Sequence, residues 1–141
     1  MDRTGILEKD KKRYEILRWI FDEADGDESS FVDLRKLIDE KTDYSEANRL
    51  EREFETISDY LAGENLIKQI AENGLFVQLT HQGVIEVEES IRNPEKPTEH
   101  FSVPVIQNFQ YTFNAPVGSV QQGNQNVANV QKILVLKQKK L

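Results

Sequence analysis

The chain contains no cysteine and only two histidines among its 141 residues. Without cysteine there can be no disulfide framework, no thiolate metal site and no cysteine nucleophile, and this composition is compatible with a reducing cytoplasm. The two histidines, His81 and His100, lie far apart in sequence and match no metal-site spacing. We therefore expect a cytoplasmic protein that is not an enzyme and that binds no metal and no cofactor.

Long apolar runs are also missing. The N-terminus mixes charges, and no stretch approaches the roughly 18 apolar residues that a membrane-spanning helix requires. The apolar run at 133–136 is four residues long and is better interpreted as a strand. We expect neither a signal peptide nor an association with membranes.

Acidic residues are absent from Phe101 to the end of the sequence, although the whole chain carries a net charge of −7. Positions 1–93 hold 23 acidic against 13 basic residues. Such a break in charge indicates two segments with different roles. Because an acidic domain repels phosphate, the first segment should have no general affinity for nucleic acid.

Hydrophobic spacing predicts three helices in the first segment. Apolar residues three and four positions apart mark a helix over 11–24, which ends at an acidic turn. Ser30-x-x-Asp33 has the form of a capping box and predicts a second helix from Ser30. A third helix should follow Asp43 or Ser45 and end near Gly63, where a positive φ is common. The apolar face of the second helix would be Phe31, Leu34, Leu37 and Ile38.

A change of period after Gly63 predicts a hairpin and a fourth helix. Two strand-like runs, 66–71 and 75–80, flank Asn73-Gly74, which favours a type I′ turn. Thr80 can cap the helix that follows, and prolines at 94 and 97 end it. The inward side chains of that helix should be Val84, Val87 and Ile91.

The order of three helices, a hairpin and a fourth helix resembles the winged-helix family. The run Leu79-Thr80-His81-Gln82-Gly83 is similar to the L-T-x-x-G sequence that enters the helix after the wing in bacterial members. The resemblance covers about residues 10–93. It implies an α+β fold in which the second and third helices form a helix-turn-helix and the hairpin is the wing, with the third helix placed where DNA would be contacted.

The polar face of the third helix bears on what such a domain could bind. Positions 45–62 contain Arg49 and Arg52 against five acidic residues, and the predicted wing has Lys68 as its single base. This is little positive charge for a surface that binds phosphates. Contact of either arginine with bases, and of Asn48 with adenine, remains chemically feasible. The face could therefore be solvated, bind a protein or contact DNA.

The acid-free segment differs in kind. Apolar and polar side chains alternate along its first part, which predicts a strand rather than a base-stacking platform. The apolar members are Val103, Val105, Phe109, Tyr111 and Phe113. A later stretch resembles one unit of a curlin-type repeat, a family whose strand units stack, so neighbouring chains could complete the stack. The matching positions are Gln121, Gly123, Asn126, Ala128 and Gln131.

These patterns predict an N-terminal arm (1–9), a winged-helix domain (10–93), a linker (94–100) and a β-rich tail (101–141). We expect the tail to form a homo-oligomer and the acidic domains to bind an unidentified protein partner through Arg49 and Arg52. Trp19 lies off the apolar stripe of the first helix, and it either packs at the edge of the core or contacts a partner. The alternative function is a DNA-binding transcriptional regulator that uses the third helix.

Overall fold

Residues 2–113 are the part of the chain that the computed structural model describes. They form four helices and a three-stranded antiparallel sheet, so the fold is α+β as predicted. The helices are α1 (Arg3–Ala24), α2 (Tyr44–Gly63), α3 (His81–Arg92) and the short α4 (Val103–Gln107). The strands are β1 (Val32–Asp33), β2 (Ile67–Gln69) and β3 (Phe76–Leu79), and β3 lies between the other two.

Helix α1 begins at Arg3, so positions 3–9 are helical and do not form the separate arm that we predicted. Asp2 caps the helix by accepting a hydrogen bond from the N–H of Gly5 at 2.9 Å. The early turns contribute little to the core, since Ile6 is 50% exposed. Hydrophobic periodicity therefore could not reveal them. The apolar face expected further along is buried at Tyr14, Leu17, Ile20 and Ala24.

The second helix predicted from Ser30 is wrong. The chain instead forms β1 followed by a 3₁₀ turn at Leu34–Leu37. Val32 pairs with Val77 of β3, so β1 is a strand of the sheet. Asp33, rather than Ser30, caps the short turn with its carboxylate. Pairing with a strand that is distant in sequence therefore overrides the local capping pattern.

Helix α2 confirms the predicted third helix. It begins after Asp43, whose carboxylate accepts a hydrogen bond from the N–H of Glu46 at 2.9 Å. Gly63 is the last helical residue, but the positive φ predicted there occurs at Asn65, with φ of 64°. Asn tolerates this left-handed conformation better than most residues do. The buried apolar side chains of α2 are Phe54, Ile57 and Leu61.

The hairpin is present, but its turn is not the two-residue type I′ turn that we predicted. The turn covers 71–74, and the N–H of Gly74 donates to the carbonyl of Ala71 at 3.1 Å. Gly74 has a positive φ of 74°, whereas Asn73 does not. Helix α2 holds this turn, because the hydroxyl of Ser58 donates to the carbonyl of Gly74 at 2.5 Å. The turn at 71–74 is therefore held by a hydrogen bond from α2 as well as by its own backbone hydrogen bond.

The L-T-x-x-G run has a clear structural basis. The hydroxyl of Thr80 caps α3 by accepting from the N–H of Gly83 at 2.9 Å. Gly83 lies against the start of the hairpin, where a Cβ would stand 2.0 Å from the carbonyl oxygen of Leu66. Only a residue without a side chain allows this approach of helix to backbone.

The inward face of α3 departs from the prediction at one position. Val84 and Val87 are buried as expected, but Ile91 is 48% exposed. Ser90 takes the inward place and accepts a hydrogen bond from the hydroxyl of Tyr14 at 2.6 Å, since its own hydroxyl donates to the Val87 carbonyl. A polar contact between α1 and α3 thus stands where an apolar one was predicted.

The strand predicted over 103–113 is wrong, because residues Val103–Gln107 form α4 and the following described residues form no strand. Phe101, Val105 and Ile106 are buried. The compact unit that contains the sheet extends to Tyr111. The beginning of the predicted tail is therefore part of the folded domain.

Substitution of Gly83 by Ala should destabilise the domain by about 3 kcal/mol, the upper end of the range for overpacked sites, because the new methyl group meets backbone that cannot move aside. Gly63→Ala is the matched control, since a Cβ there meets nothing within 4 Å. That variant should be as stable as wild type or up to about 1 kcal/mol more stable. Urea denaturation followed by circular dichroism compares the two, and equal midpoints would contradict the proposed close packing.

Candidate interaction surface

Helix α2 carries most of the residues that the sequence assigned to partner or DNA contact. Arg49 and Arg52 are exposed and Asn48 is half-exposed, so all three are accessible. Asn48 and Arg52 are four residues apart and share one face of the helix. Lys68 lies on β2 and is also exposed. The structure thus groups two of the four residues on one face.

The guanidinium of Arg49 is occupied by carboxylates of its own helix. Its Nε and Nη2 donate to the two oxygens of Glu46 at 2.9 and 2.7 Å, and Nη1 donates to Glu53 at 3.3 Å. These hydrogen bonds lower the pKa of Glu46 and raise the pKa of Arg49 relative to their usual values. Contact with a phosphate or a base would require Arg49 to leave this paired arrangement.

Arg52 differs from Arg49, since its guanidinium forms no ion pair with any residue in the range 2–113. It is therefore available to an anionic group. Its surroundings on α2 are acidic, because five of the residues at 45–62 are Asp or Glu against two arginines. The net field of this helix opposes the approach of a nucleic-acid backbone.

A groove of about 250 Å³ lies between α1 and α2, and cationic side chains line part of it. Lys12 is bound to Glu53 at 2.7 Å, and Arg13 is bound to Asp10 at 3.0 Å. The guanidinium of Arg13 also lies 3.6 Å above the ring centroid of Tyr60. Lys9 also lines the groove and forms no ion pair with any residue in the range 2–113. With two of its three cations paired and Glu53 in its lining, the groove offers one free positive charge to an anionic ligand.

The aromatic residues predicted to build an oligomerisation strand pack within their own domain instead. The ring of Phe109 meets the edge of Tyr14 with centroids 5.6 Å apart, and the guanidinium of Arg18 lies 4.4 Å from the Phe109 ring centroid. The hydroxyl of Tyr111 donates to Asp22 of α1. These contacts place Phe109 and Tyr111 against α1 rather than on a strand, and a role for either residue in self-association stays a prediction.

Other predicted contact residues remain untested. Trp19 is half-buried on α1, which fits either of its two interpretations. Phe113 is half-buried and lies beyond the compact unit that ends at Tyr111. The residues of the repeat-like stretch lie outside the described residues; they are Gln121, Gly123, Asn126, Ala128 and Gln131.

A stacked aromatic pair on the solvent-facing side of the sheet was missed by the sequence analysis, and one of its two rings is exposed. Phe31, predicted to be inward on a helix, is 57% exposed and precedes β1. Its ring stacks on Phe76 of β3, with centroids 5.3 Å apart and planes 15° from parallel. Ile70, which follows β2, is 44% exposed. We call Phe31, Ile70 and Phe76 the outer sheet patch.

The alternation of apolar side chains between the two faces of β3 could have revealed one residue of this patch, Phe76. Val77 and Leu79 are buried, so Phe76 must turn to the opposite face of the sheet. The exposure of Phe31 could not be derived in the same way, because it depends on β1 replacing a predicted helix. An exposed aromatic cluster of this kind is a mark of contact with another protein.

His100 is held between two carboxylates. Its Nδ1 lies 3.0 Å from Glu86 and its Nε2 lies 3.2 Å from Glu64. Glu86 is buried, and it also accepts a hydrogen bond from the backbone N–H of His100 at 3.2 Å. This cluster fixes the segment after α3 onto the domain, so the predicted linker is anchored there. His81, by contrast, is exposed and contacts Glu28 at 2.8 Å.

Residues 2–113 include no group of three or more His, Cys, Asp or Glu side chains placed to hold a metal ion. No helix among these residues is both long enough and apolar enough to cross a membrane. Comparison with known proteins finds no matching family model, no matching curated protein and no matching solved structure.

Replacing His100 with Ala should destabilise the domain by about 1–3 kcal/mol, because the buried carboxylate of Glu86 loses a hydrogen-bond partner. His81→Ala is the control, since an exposed contact between two polar side chains contributes about 1 kcal/mol or less. Urea denaturation at neutral pH measures both effects. Equal losses in the two variants would show that the Glu86 contact does not stabilise the fold.

Proposed function

We propose that this chain is a non-catalytic protein-interaction module, built on a winged-helix domain and joined into a homo-oligomer by its C-terminal segment. The observation that carries the proposal is the stack of Phe31 on Phe76 at the surface of the sheet, where Phe31 is 57% exposed. Contiguous apolar side chains at a surface mark sites of contact with other proteins. Aromatic side chains of this kind supply much of the binding energy at protein interfaces.

The winged-helix assignment is supported by the hairpin that follows α2 and by the entry to α3 through Thr80 and Gly83. The chain departs from the pattern where the second helix was expected, since Leu34–Leu37 is a short 3₁₀ turn. A helix-turn-helix would therefore have a reduced first helix. This departure weakens the inference from the family to DNA binding more than it weakens the fold assignment.

The electrostatics of α2 also favour a protein partner over DNA. Arg49 is engaged by Glu46 and Glu53, and acidic residues outnumber basic ones along the helix. A surface that binds duplex DNA gains affinity by releasing counterions from phosphates, which requires several accessible cations. Between positions 44 and 63, Arg52 is the single cation that forms no ion pair with a described residue.

A DNA-binding regulator remains the second candidate, because Asn48 and Arg52 share one face of α2. These two side-chain types bind adenine and guanine edges in the major groove. Several such domains in one oligomer could offset the weak contact of each domain through effective concentration. This candidate makes a different prediction about salt dependence.

Fluorescence anisotropy of a labelled mixed-sequence duplex should show no binding by the full-length protein at low or near-physiological salt, because α2 repels phosphate. Micromolar binding that weakens steeply with salt would instead favour the regulator. Arg52→Ala and Arg49→Ala would then locate the contact. A loss of binding in the Arg52 variant greater than in the Arg49 variant would match the different pairing of the two guanidinium groups.

Light scattering after size-exclusion chromatography should give the full-length protein a mass that is a multiple of 16.3 kDa. A variant that ends after Phe113 should be monomeric, because the proposed self-association belongs to the segment that follows. Arg52→Ala serves as the control and should assemble like wild type. A full-length protein that stays monomeric at high concentration would contradict the oligomeric part of the proposal.

A further inference from the structure

The register of the sheet defines the outer sheet patch and its neighbours. Asp33 pairs with Phe76, and Lys68 pairs with Gln78. The N–H of Ile70 donates to the carbonyl of Phe76 at 2.7 Å, which continues the pairing beyond β2. Because side chains alternate between the faces of a sheet and Val77 is buried, these residues share the solvent-facing side. The patch therefore lies at the centre of this face, with polar residues around it.

The loop before β1 brings carboxylates to one side of the patch. Gln78 donates to the carbonyl of Ser29 at 3.2 Å, which holds this loop beside the outer face. Asp27 and Glu28 immediately precede Ser29, and both are exposed. Asp27 accepts hydrogen bonds from Ser29 and forms no ion pair within residues 2–113. Two carboxylates therefore stand at this side of the patch, and Glu28 contacts the imidazole of His81 at 2.8 Å.

The other charges around the patch do not cancel those of Asp27 and Glu28. Asp33 and Arg35 neutralise each other through two hydrogen bonds of 3.0 and 2.9 Å. Glu72, in the turn after Ile70, is exposed and makes no ion pair with any described residue. Lys68 is the one cation on this face of the strands that lacks a carboxylate partner among residues 2–113. Lys36 also lies close enough to Asp33 for its charge to lower the pKa of that carboxyl. The rim keeps one negative charge in excess when four carboxylates are set against three cations: Asp27, Glu28, Asp33 and Glu72 against Arg35, Lys36 and Lys68.

The acidic rim also bears on which partner could cover the patch. A second copy of the same face would bring like charges together. The rest of the unit would add to this repulsion, because residues 1–111 carry 25 acidic against 14 basic side chains. Such an approach is opposed at physiological ionic strength, where charges interact over about 8 Å. A partner with basic groups beside apolar ones would instead meet complementary charge.

We propose that the outer sheet patch of Phe31, Ile70 and Phe76 is a docking surface for a partner-protein segment whose apolar side chains are flanked by lysine or arginine. The apolar side chains would cover the stacked rings, and the cations would lie against Asp27, Glu28 and Glu72. The inference rests on the proposed function as a protein-interaction module and specifies the chemistry of its partner. Burial of an exposed aromatic ring supplies affinity, whereas the acidic rim supplies selectivity.

The test uses full-length protein and two labelled short peptides, one of alternating leucine and lysine and one of alternating leucine and glutamate. Fluorescence anisotropy at near-physiological salt should detect binding of the lysine peptide and not of the glutamate peptide. Phe31→Ala and Ile70→Ser should each weaken binding of the lysine peptide by about tenfold, the effect of losing an interface anchor. Both side chains are exposed, so thermal unfolding should match that of wild type.

Tyr44→Ala is the matched control, because Tyr44 is an 82% exposed aromatic residue on α2, away from the sheet. That variant should bind the lysine peptide like wild type. Equal weakening in the Tyr44 and Phe31 variants, equal binding of the two peptides, or no binding of the lysine peptide would overturn the proposal. Light scattering measures self-association independently. Assembly of a chain that fails this test would leave the oligomeric part of the proposed function standing and would remove the outer sheet patch as its partner-binding surface.

Discussion

The close approach of α3 to the carbonyl of Leu66 is the contact on which the arrangement of the domain depends. This carbonyl ends the turn after α2 and begins the hairpin, and it also accepts a hydrogen bond from the N–H of Thr80 at 3.2 Å. Gly83 lets the first turn of α3 lie directly against it. One backbone group thus joins α2, the hairpin and α3, and Leu66 itself is fully buried at this junction.

Helix α1 provides the second common surface, and Tyr14 is its centre. The Tyr14 hydroxyl donates to Ser90 of α3 and accepts from Arg18 at 3.2 Å, while its ring packs against Phe101 and Phe109. The same residue therefore fixes α3 and the segment that follows it. Apolar residues after position 100 belong to the core for this reason, and the compact unit extends to Tyr111, further along the chain than the charge pattern indicates.

The surfaces left after this packing explain the functional proposal. Helix α2 buries its apolar stripe and presents carboxylates that occupy Arg49. The sheet buries Val77 on one side and leaves Phe76 and Phe31 stacked on the other. An acidic helix and an apolar patch with an acidic rim both favour a protein partner, and the patch is a surface that the arginine pattern on α2 did not indicate.

The sequence by itself determined the α+β class, helix α2 with Asp43 as one of two candidate caps, the hairpin, and the Thr80 cap of α3. The helices, their caps and the hairpin depend on contacts between residues close in the chain. Tertiary structure decided the rest. Segment 30–38 joined the sheet because β3 offered hydrogen bonds that no local capping box could match, and this pairing exposed Phe31. Segment 103–107 is helical rather than extended. Phe109 and Tyr111 contact Tyr14, Arg18 and Asp22 of α1, which lie about 90 positions earlier in the sequence. Periodicity reports only a local preference, and contacts over such separations can override it.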